Sequence, residues 1–368
     1  MKIGILTFHR SRNYGALLQA KAMQDYLRSL GHDVSFVDYW PPYHAQMYET
    51  FSKDKFRELS LYRKLTYLVR FILTFSRNNK RQEKTQVYIN NFFTISEDKK
   101  FDLVIYGSDQ IWRKQHKKSC PGFNPIFWGE GFVDTSHKIA YAASMGKIEI
   151  DGINDQEFIK EHLRLFDAIS IREKDLILKF KEVFGVGYKL VCDPVFLLSK
   201  EQWIKHIDNK YIPKKKYILY YRLQPLPETD YVVKELERTT RYKVIELRGY
   251  IPFFNYGSRY RTTADAQEFV SLISGAEYVV TTAFHGVALS VVFEKQFITS
   301  SETTQSSRVM SLLSLLGLEN RFAKSEEFNI NNKINYEEIS KRLYSFSSES
   351  REWLNNELSI VEHQLLRE

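Results

Sequence analysis

The chain has 368 residues and a mass of 43.6 kDa, past the size at which a single hydrophobic core stops growing, so two domains of roughly 150–200 residues are expected. Hydrophobic residues at 43% and charged residues at 27%, with 16 Gly and 9 Pro, exclude collagenous, low-complexity and disordered classes. The net charge is +8, but ten basic and three acidic residues between Lys53 and Lys84 carry +7 of it, so the excess is local and a general nucleic-acid binder is disfavoured.

The first forty residues read as strand, helix, strand. Lys2–His9 is a compact apolar run, Asn13–Gly15 breaks it, Ala16–Leu30 has helical spacing of its apolar residues, and Val34–Tyr39 returns as a strand after Gly31. The segment Phe51–Asn91 departs from this alternation. Phe56, Leu59, Tyr62, Leu65, Val69 and Ile72 give an apolar helical face against Lys and Arg elsewhere, which predicts a basic amphipathic helix or helix pair. Two readings of it stand: a cover for the first domain, or a peripheral contact with anionic lipid.

Alternation then resumes. Strands are predicted over Phe101–Tyr106, Lys138–Ala143, Ala168–Arg172 and Tyr188–Cys192, and helices over Asp155–Phe166 and Lys174–Phe184. After Asp193–Pro194 a second series has strands over Lys216–Arg222, Tyr242–Arg248, Glu277–Thr282 and Gln296–Ser300. Its helices are predicted over Asp230–Thr239, Ala264–Ser274, Val287–Phe293 and Ser307–Leu316. Two further helices, about Tyr336–Tyr344 and Glu349–Leu366, close the chain. The expected fold is α/β, with two doubly wound Rossmann-like domains facing a cleft, over 1–192 and 193–332, and with residues 333–368 packing back toward the first.

Cys120 and Cys192 cannot form a disulfide framework, no metal-ligand spacing occurs, and no apolar run approaches a membrane span. A cytoplasmic chain, at most peripheral at the inner face of the cell membrane, is expected. There is no Gly-x-Gly-x-x-Gly, no phosphate-binding Gly-x-x-x-x-Gly-Lys-Ser/Thr, no Gly-x-Ser-x-Gly and no Asp-x-Asp. An anionic ligand held without a metal fits best, and four strand ends carry suitable polar residues: 10–15, 107–112, 170–173 and 284–286.

These same segments carry a resemblance. Thr7–Phe8–His9 with Asn13–Tyr14–Gly15–Ala16–x–Leu18–Gln19–Ala20, Gly107–Ser108–Asp109–Gln110–Ile111–Trp112, Ser170–Ile171–Arg172–Glu173, Asp193–Pro194, and Phe284–His285–Gly286 followed by Ser307–Arg308 stand in the order of the polysaccharide pyruvyl transferase family, which the chain resembles over roughly residues 1–325. The resemblance implies a glycosyltransferase-B-like fold and transfer of a pyruvyl group from phosphoenolpyruvate to sugar hydroxyls as a ketal, with release of phosphate. The implied acceptor is a sugar of a polysaccharide or lipid-linked precursor, held on the side of the first domain, with phosphoenolpyruvate on the side of the second. No cofactor beyond that donor is implied, and no metal.

Phosphoenolpyruvate presents a carboxylate and a phosphate, so fixed arginines are the natural cradle. His285, Asp109 and Arg308 are the catalytic candidates. Arg172, Phe284, Gly286, Asn13, Tyr14, Gly15, Ser108, Gln110, Trp112 and His9 are the substrate-binding candidates. Structural roles compete at several of these: a helix-capping histidine, an arginine in an ion pair, an Asp109 cap, turn residues at Asn13 and Tyr14, a core Trp112. Arg308 is placed in the first turn of its helix, where the dipole disfavours a cation. One departure is present, Thr281–Thr282–Ala283 where the family often has Thr-Asp-Ser. It puts an acid/base role at that position in doubt and suggests a variant acceptor or a divergent member. Two alternatives stand: a glycosyltransferase of the same architecture using a nucleotide sugar, and a catalytically inactive glycan-binding protein, which that departure alone supports.

Overall fold

The computed structural model describes residues 1–117, 120–252, 257, 259–301, 303–323 and 332–367. Its first sheet begins with β1 (Lys2–Leu6), whose apolar run is buried from Ile3 onward, as a parallel strand covered on both faces must be. Helix α1 (Tyr14–Ser29) and β2 (Asp33–Val37) follow, then α2 (Pro42–Met47), α3 (Lys53–Glu58), α4 (Leu61–Phe92), β3 (Ile95–Ser96) and β4 (Leu103–Tyr106). The predicted helical insertion is thus a pair, α3 and α4. A small antiparallel hairpin, β5 (Gln115–Lys117) with β6 (Cys120–Gly122), has no counterpart in the sequence reading. The domain is completed by β7 (His137–Ala143), α5 (Gly152–Leu163), β8 (Ala168–Ile171), α6 (Lys174–Phe184) and β9 (Lys189–Leu190).

All seven main strands pair in parallel in the order β3-β2-β1-β4-β7-β8-β9. The direction of winding reverses between β1 and β4, and the crevice beyond their C-terminal ends is where such sheets bind ligands. The loops 7–13 and 107–110 leave the sheet there.

The second domain contains α7 (Lys200–Ile204), β10 (Tyr217–Arg222), α8 (Pro227–Thr240), β11 (Lys243–Arg248), α9 (Ala266–Gly275), β12 (Tyr278–Thr281), α10 (Phe284–Val292), β13 (Gln296–Thr299) and α11 (Thr303–Leu316). Its four parallel strands run β11-β10-β12-β13, reversing between β10 and β12. The loop after β12 leads straight into α10. Two Rossmann-like domains with facing switch points are the glycosyltransferase-B-like arrangement expected from the sequence.

Helix α1 is buried on nearly every side from Tyr14 to Leu27. One side lies on the first sheet and another packs on α9 and α10, so that Leu17, Leu18 and Met23 share a continuous apolar cluster with Phe269, Val279 and Val287 of the second domain. Gln19, Lys21 and Gln24 are buried along with its apolar residues, so the helix is covered on nearly every side. The two domains are therefore joined by packed side chains along α1 as well as by the chain.

The two closing helices are one, α12 (Tyr336–Leu365). The serine-rich stretch between them read as a break. Instead Ser347 Oγ donates to the Tyr344 carbonyl at 3.1 Å and Ser350 Oγ to the Phe346 carbonyl at 2.7 Å, which satisfies the hydroxyls inside a continuous helix. Small buried side chains also let the backbone approach. Ser350 Oγ accepts a hydrogen bond from Cys192 N at 2.9 Å, and Asn355 accepts one from the Tyr26 hydroxyl, so α12 crosses onto the first domain.

Candidate active site at the domain junction

The N-terminus of α10 meets the N-terminus of α1 across the junction. Asn13 caps α1 by accepting from Gly15 N at 3.0 Å. Gly15 has no side chain because there is no room for one: a Cβ would lie 2.1 Å from His285 Nδ1. Gly286 is required on the other side of the same turn, where a Cβ would meet Thr281 Oγ1 at 2.2 Å. α10 has Ala283 at its N-cap and no side chain capping it, so its first N–H groups face the junction with their positive dipole end uncovered.

From the first domain comes Arg172, at the end of β8. Its guanidinium is fully desolvated and held at three points: Nη1 donates to Asp193 Oδ2 at 2.5 Å and to Ser108 Oγ at 3.1 Å, and Nε donates to Glu173 Oε1 at 3.2 Å. Phe284 lies against its face, 5.2 Å from ring centroid to Cζ. Glu173 is itself fixed by Ser144 Oγ, which donates to Oε1 at 2.6 Å. His285 Nε2 is 3.6 Å from Asp193 Oδ2, too far for a hydrogen bond but close enough to act on the Asp193 carboxyl. Arg308 is 9% exposed and makes no hydrogen bond among the described residues.

The electrostatics follow from burial and charge. Burial alone would raise the Asp193 carboxyl, but His285 and Arg172 beside it hold it well below the usual carboxylate range. Burial would lower Arg172, but Glu173, Asp193 and Asp109 raise it above its ordinary value. Arg308 goes the other way. Burial lowers it, Arg172 lowers it further, and the carboxylates of Glu173, Asp109 and Asp193 do not make up the difference. It is a cation short of an anion. Arg172 Nη2 and His285 Nε2 are also buried without a hydrogen-bond partner. Polar atoms left so are rare and call for a ligand or a water. A cavity of about 790 Å³, lined among others by Arg172, Asp193, Phe284, Arg308, Ser311 and Leu312, opens at this cluster.

The structure brings together His285, Arg172, Arg308, Phe284, Gly286, Gly15 and Ser108, with Asp109 half-buried and close enough for its charge to act on both arginines. Other candidates go elsewhere. Trp112 is fully buried, stacked on Trp128 with centroids 4.3 Å apart, and its Nε1 donates to the Phe127 carbonyl at 3.0 Å, so it has no face for a sugar. His9 stacks on Phe36 and turns Nε2 toward Asp38 at 3.8 Å. Tyr14 stacks on Phe269 beneath the Arg81 guanidinium, and Gln110 accepts from Arg113 at 3.2 Å. Arg308 is the sixth residue of α11, not in its first turn, so the dipole argument against a structural cation does not apply. Ser307, quoted with it, lies among residues whose side chains are outside the described set. Burial pushes the Cys192 thiol up to about 11, which keeps it protonated and unreactive in the core.

Asp193 was overlooked as a site residue, because Asp-Pro after an apolar strand marks a boundary first. The signal was a carboxylate at a strand end with a proline that fixes the chain beyond it. Gln19 was overlooked too. Its amide donates to Thr7 Oγ1 and accepts from Ser108 N, tying α1 to the loop that carries Ser108 and Asp109. Its place between Leu18 and Ala20, within the apolar start of the helix, was the visible sign.

At the Thr282 position the hydroxyl accepts from Leu223 N at 2.9 Å and Gln224 N at 3.5 Å, holding the loop after β10.

A sequence model described as polysaccharide pyruvyl transferase matches residues 13–302, from the α1 cap to the start of α11. The chain belongs to this family. Membership places it among the transferases of polysaccharide biosynthesis. No curated protein matches the chain in sequence. Solved structures similar to it include the spinosyn forosaminyltransferase SpnP, at 11% identity and a TM-score of 0.43 over 98% of this chain and 99% of that one. The S. aureus MnaA–UDP structure is similar at 11% identity and a TM-score of 0.46, over 95% and 91%. The wall teichoic acid polymerase TagF, H444N variant, is similar at 9% and 0.40, over 78% and 86%. Among the described residues no group of three or more His, Cys, Asp or Glu is placed to hold a metal, and no helix is long and apolar enough to cross a membrane.

Proposed function

We propose that this transferase moves a pyruvyl group from phosphoenolpyruvate to two hydroxyls of one sugar in a polysaccharide or lipid-linked glycan precursor, closing a ketal and releasing inorganic phosphate. The observation that carries the reading is the pair of buried guanidiniums at the domain junction, one with Nη2 lacking a hydrogen-bond partner and the other short of an anion, beside a histidine whose Nε2 also has no hydrogen-bond partner. A small ligand bearing both a carboxylate and a phosphate answers all three.

In this mechanism Arg308 and Arg172 Nη2 bind the donor's anionic groups, and the free N–H groups of α10 add to the cradle. The first sugar hydroxyl adds to C2 of the enol while C3 takes a proton and becomes a methyl group. His285 is placed to supply that proton or to neutralise the departing phosphate, and Asp193, 3.6 Å from it, stabilises the charged imidazole. Asp109 is the base for the hydroxyl. Loss of phosphate with the C2–O bond, and attack by the second hydroxyl with loss of its proton, completes the ketal.

The inactive alternative leaned on the Thr282–Ala283 departure, and the hydroxyl of Thr282 has a structural task instead. The test is release of inorganic phosphate from phosphoenolpyruvate, measured with and without a panel of nitrophenyl and lipid-linked sugars. Release that needs both substrates is expected. No release with any acceptor, together with calorimetric binding of a nucleoside diphosphate and none of phosphoenolpyruvate, overturns the reading in favour of nucleotide-sugar transfer.

A further inference from the structure

Helix α4 has two unlike halves. The C-terminal half is rooted in the protein: Thr85, Tyr88 and Ile89 are buried, and Arg81 donates to the carbonyls of Arg248, Gly249 and Arg12, which fastens the helix to both domains. Lys84 adds an ion pair to Glu268 at 3.1 Å. The N-terminal half touches the protein on one side only, through Tyr67 and Phe71, which pack with Phe51 and Phe56 beside α3.

Its outer side is apolar and uncovered. Leu61 is 87% exposed, Leu65 62% and Ile72 70%, and Tyr62, Leu68, Val69, Leu73 and Phe75 are exposed with them. At about 3.6 residues per turn these eight side chains spread over roughly 160° of the helix surface. A coiled-coil seam is narrower than this. Lys80, seven residues after Leu73, continues this face, Arg63 borders it, and both are exposed.

The charge selects the partner. From Leu61 to Gln82 there is no Asp or Glu, and there are six Lys and Arg. Two copies joined through this face would bring like charge to like charge with no carboxylate between Leu61 and Gln82 of either helix to answer it. An anionic bilayer supplies both an apolar phase for the leucines and headgroup charge for exposed cations such as Arg63 and Lys80, whose long side chains can reach the interface.

We propose that the Leu61–Phe75 half of α4 seats the protein on an anionic lipid surface. The inner side of the same helix walls a cleft of about 950 Å³, lined among others by Arg12, Tyr48, Tyr67, Arg70, Arg81 and Tyr250. A lipid-anchored glycan would thus be met where its anchor lies. That last point rests on the proposed reaction, whereas the seat itself does not.

The test is co-sedimentation of the full chain with phosphatidylcholine–phosphatidylglycerol vesicles and with phosphatidylcholine vesicles, with no donor or acceptor present. Binding at least about tenfold tighter to the anionic vesicles, weakened by salt, is expected. Leu65→Asp/Ile72→Asp and, separately, Arg63→Glu/Lys80→Glu each reduce it about tenfold or more with unchanged thermal midpoints, since all four side chains are exposed. Absence of wild-type binding to anionic vesicles overturns the proposal. So does a dimer by light scattering that Leu65→Asp/Ile72→Asp turns into monomers. Because no reactant is present, either failure leaves the pyruvyl-transfer reading as it stands.

Discussion

Gly15 and His285 share one space: the position a Cβ would take on Gly15 is 2.1 Å from His285 Nδ1, so the first turn of α1 in one domain fixes where the imidazole of the other can stand. Gly15→Ala must push the ring away or open the junction. With Asp193 only 3.6 Å from Nε2, a shift of about 1 Å breaks the pairing, and such misplacements cost on the order of 100-fold in rate. The expected result is a kcat lowered about 100-fold with a stability loss of about 1–3 kcal/mol from overpacking. Steady-state kinetics and urea unfolding on the same preparation check both.

Arg172 and Arg308 are both buried, yet they should answer to mutation with opposite sign in stability. Arg172→Ala strips the counter-charge from Asp193 and Glu173, and leaving buried charge uncompensated costs about 3–5 kcal/mol. Arg308 is a desolvated cation pushed down by its surroundings, so Arg308→Leu relieves that penalty and leaves the urea midpoint unchanged or higher. Turnover should fall at least about 100-fold in both. A destabilised Arg308→Leu protein would mean that its charge is satisfied in the folded chain and is not waiting for a ligand.

The strand-helix alternation was legible because parallel strands covered on both faces are continuous apolar runs, and α6 is found over Lys174–Phe184 as its pattern predicts. What misled was local chemistry that tertiary contacts override. The serine-rich stretch after Tyr344 looks like a gap between two helices until the backbone of Cys192 is seen against Ser350, and Trp112 looks like a sugar platform until Trp128 covers it. In the site, single strand ends were visible, but their pairing across the junction was not. Arg172 and Asp193 lie 21 residues apart, Asp193 and His285 far more, and no periodicity carries that separation.

Asp193 gives the protein an acid limb. Its carboxyl is held below the ordinary range in the folded state, despite burial, by His285 and Arg172. A depressed folded pKa means stabilisation that is full above the unfolded carboxylate value, about 4, and is lost as pH falls through the folded one. Asp193→Asn should therefore be less stable than the wild type by about 3–5 kcal/mol near neutrality, with the gap narrowing as the pH is taken below about 4. Urea midpoints of the two proteins across that range measure it. A gap that stays constant would place the acid sensitivity elsewhere.

Thr282 separates a structural from a catalytic reading of the position where this chain departs from its family. Its hydroxyl is buried and accepts from two backbone N–H groups of the loop after β10. Thr282→Val removes that acceptor, orphans both donors and should cost about 1–3 kcal/mol in urea unfolding. Its kcat, measured well below the unfolding transition, should stay within a few-fold of wild type, because neither donor belongs to the arginine–histidine cluster. Thr282→Asp restores a carboxylate that can accept from the same two N–H groups, so it should recover most of the stability that Val loses and again leave kcat little changed. If instead Thr282→Val holds its stability and loses turnover, or Thr282→Asp raises turnover many-fold, the position acts in proton transfer. His285 and Asp109 would then not be the whole of the acid–base machinery.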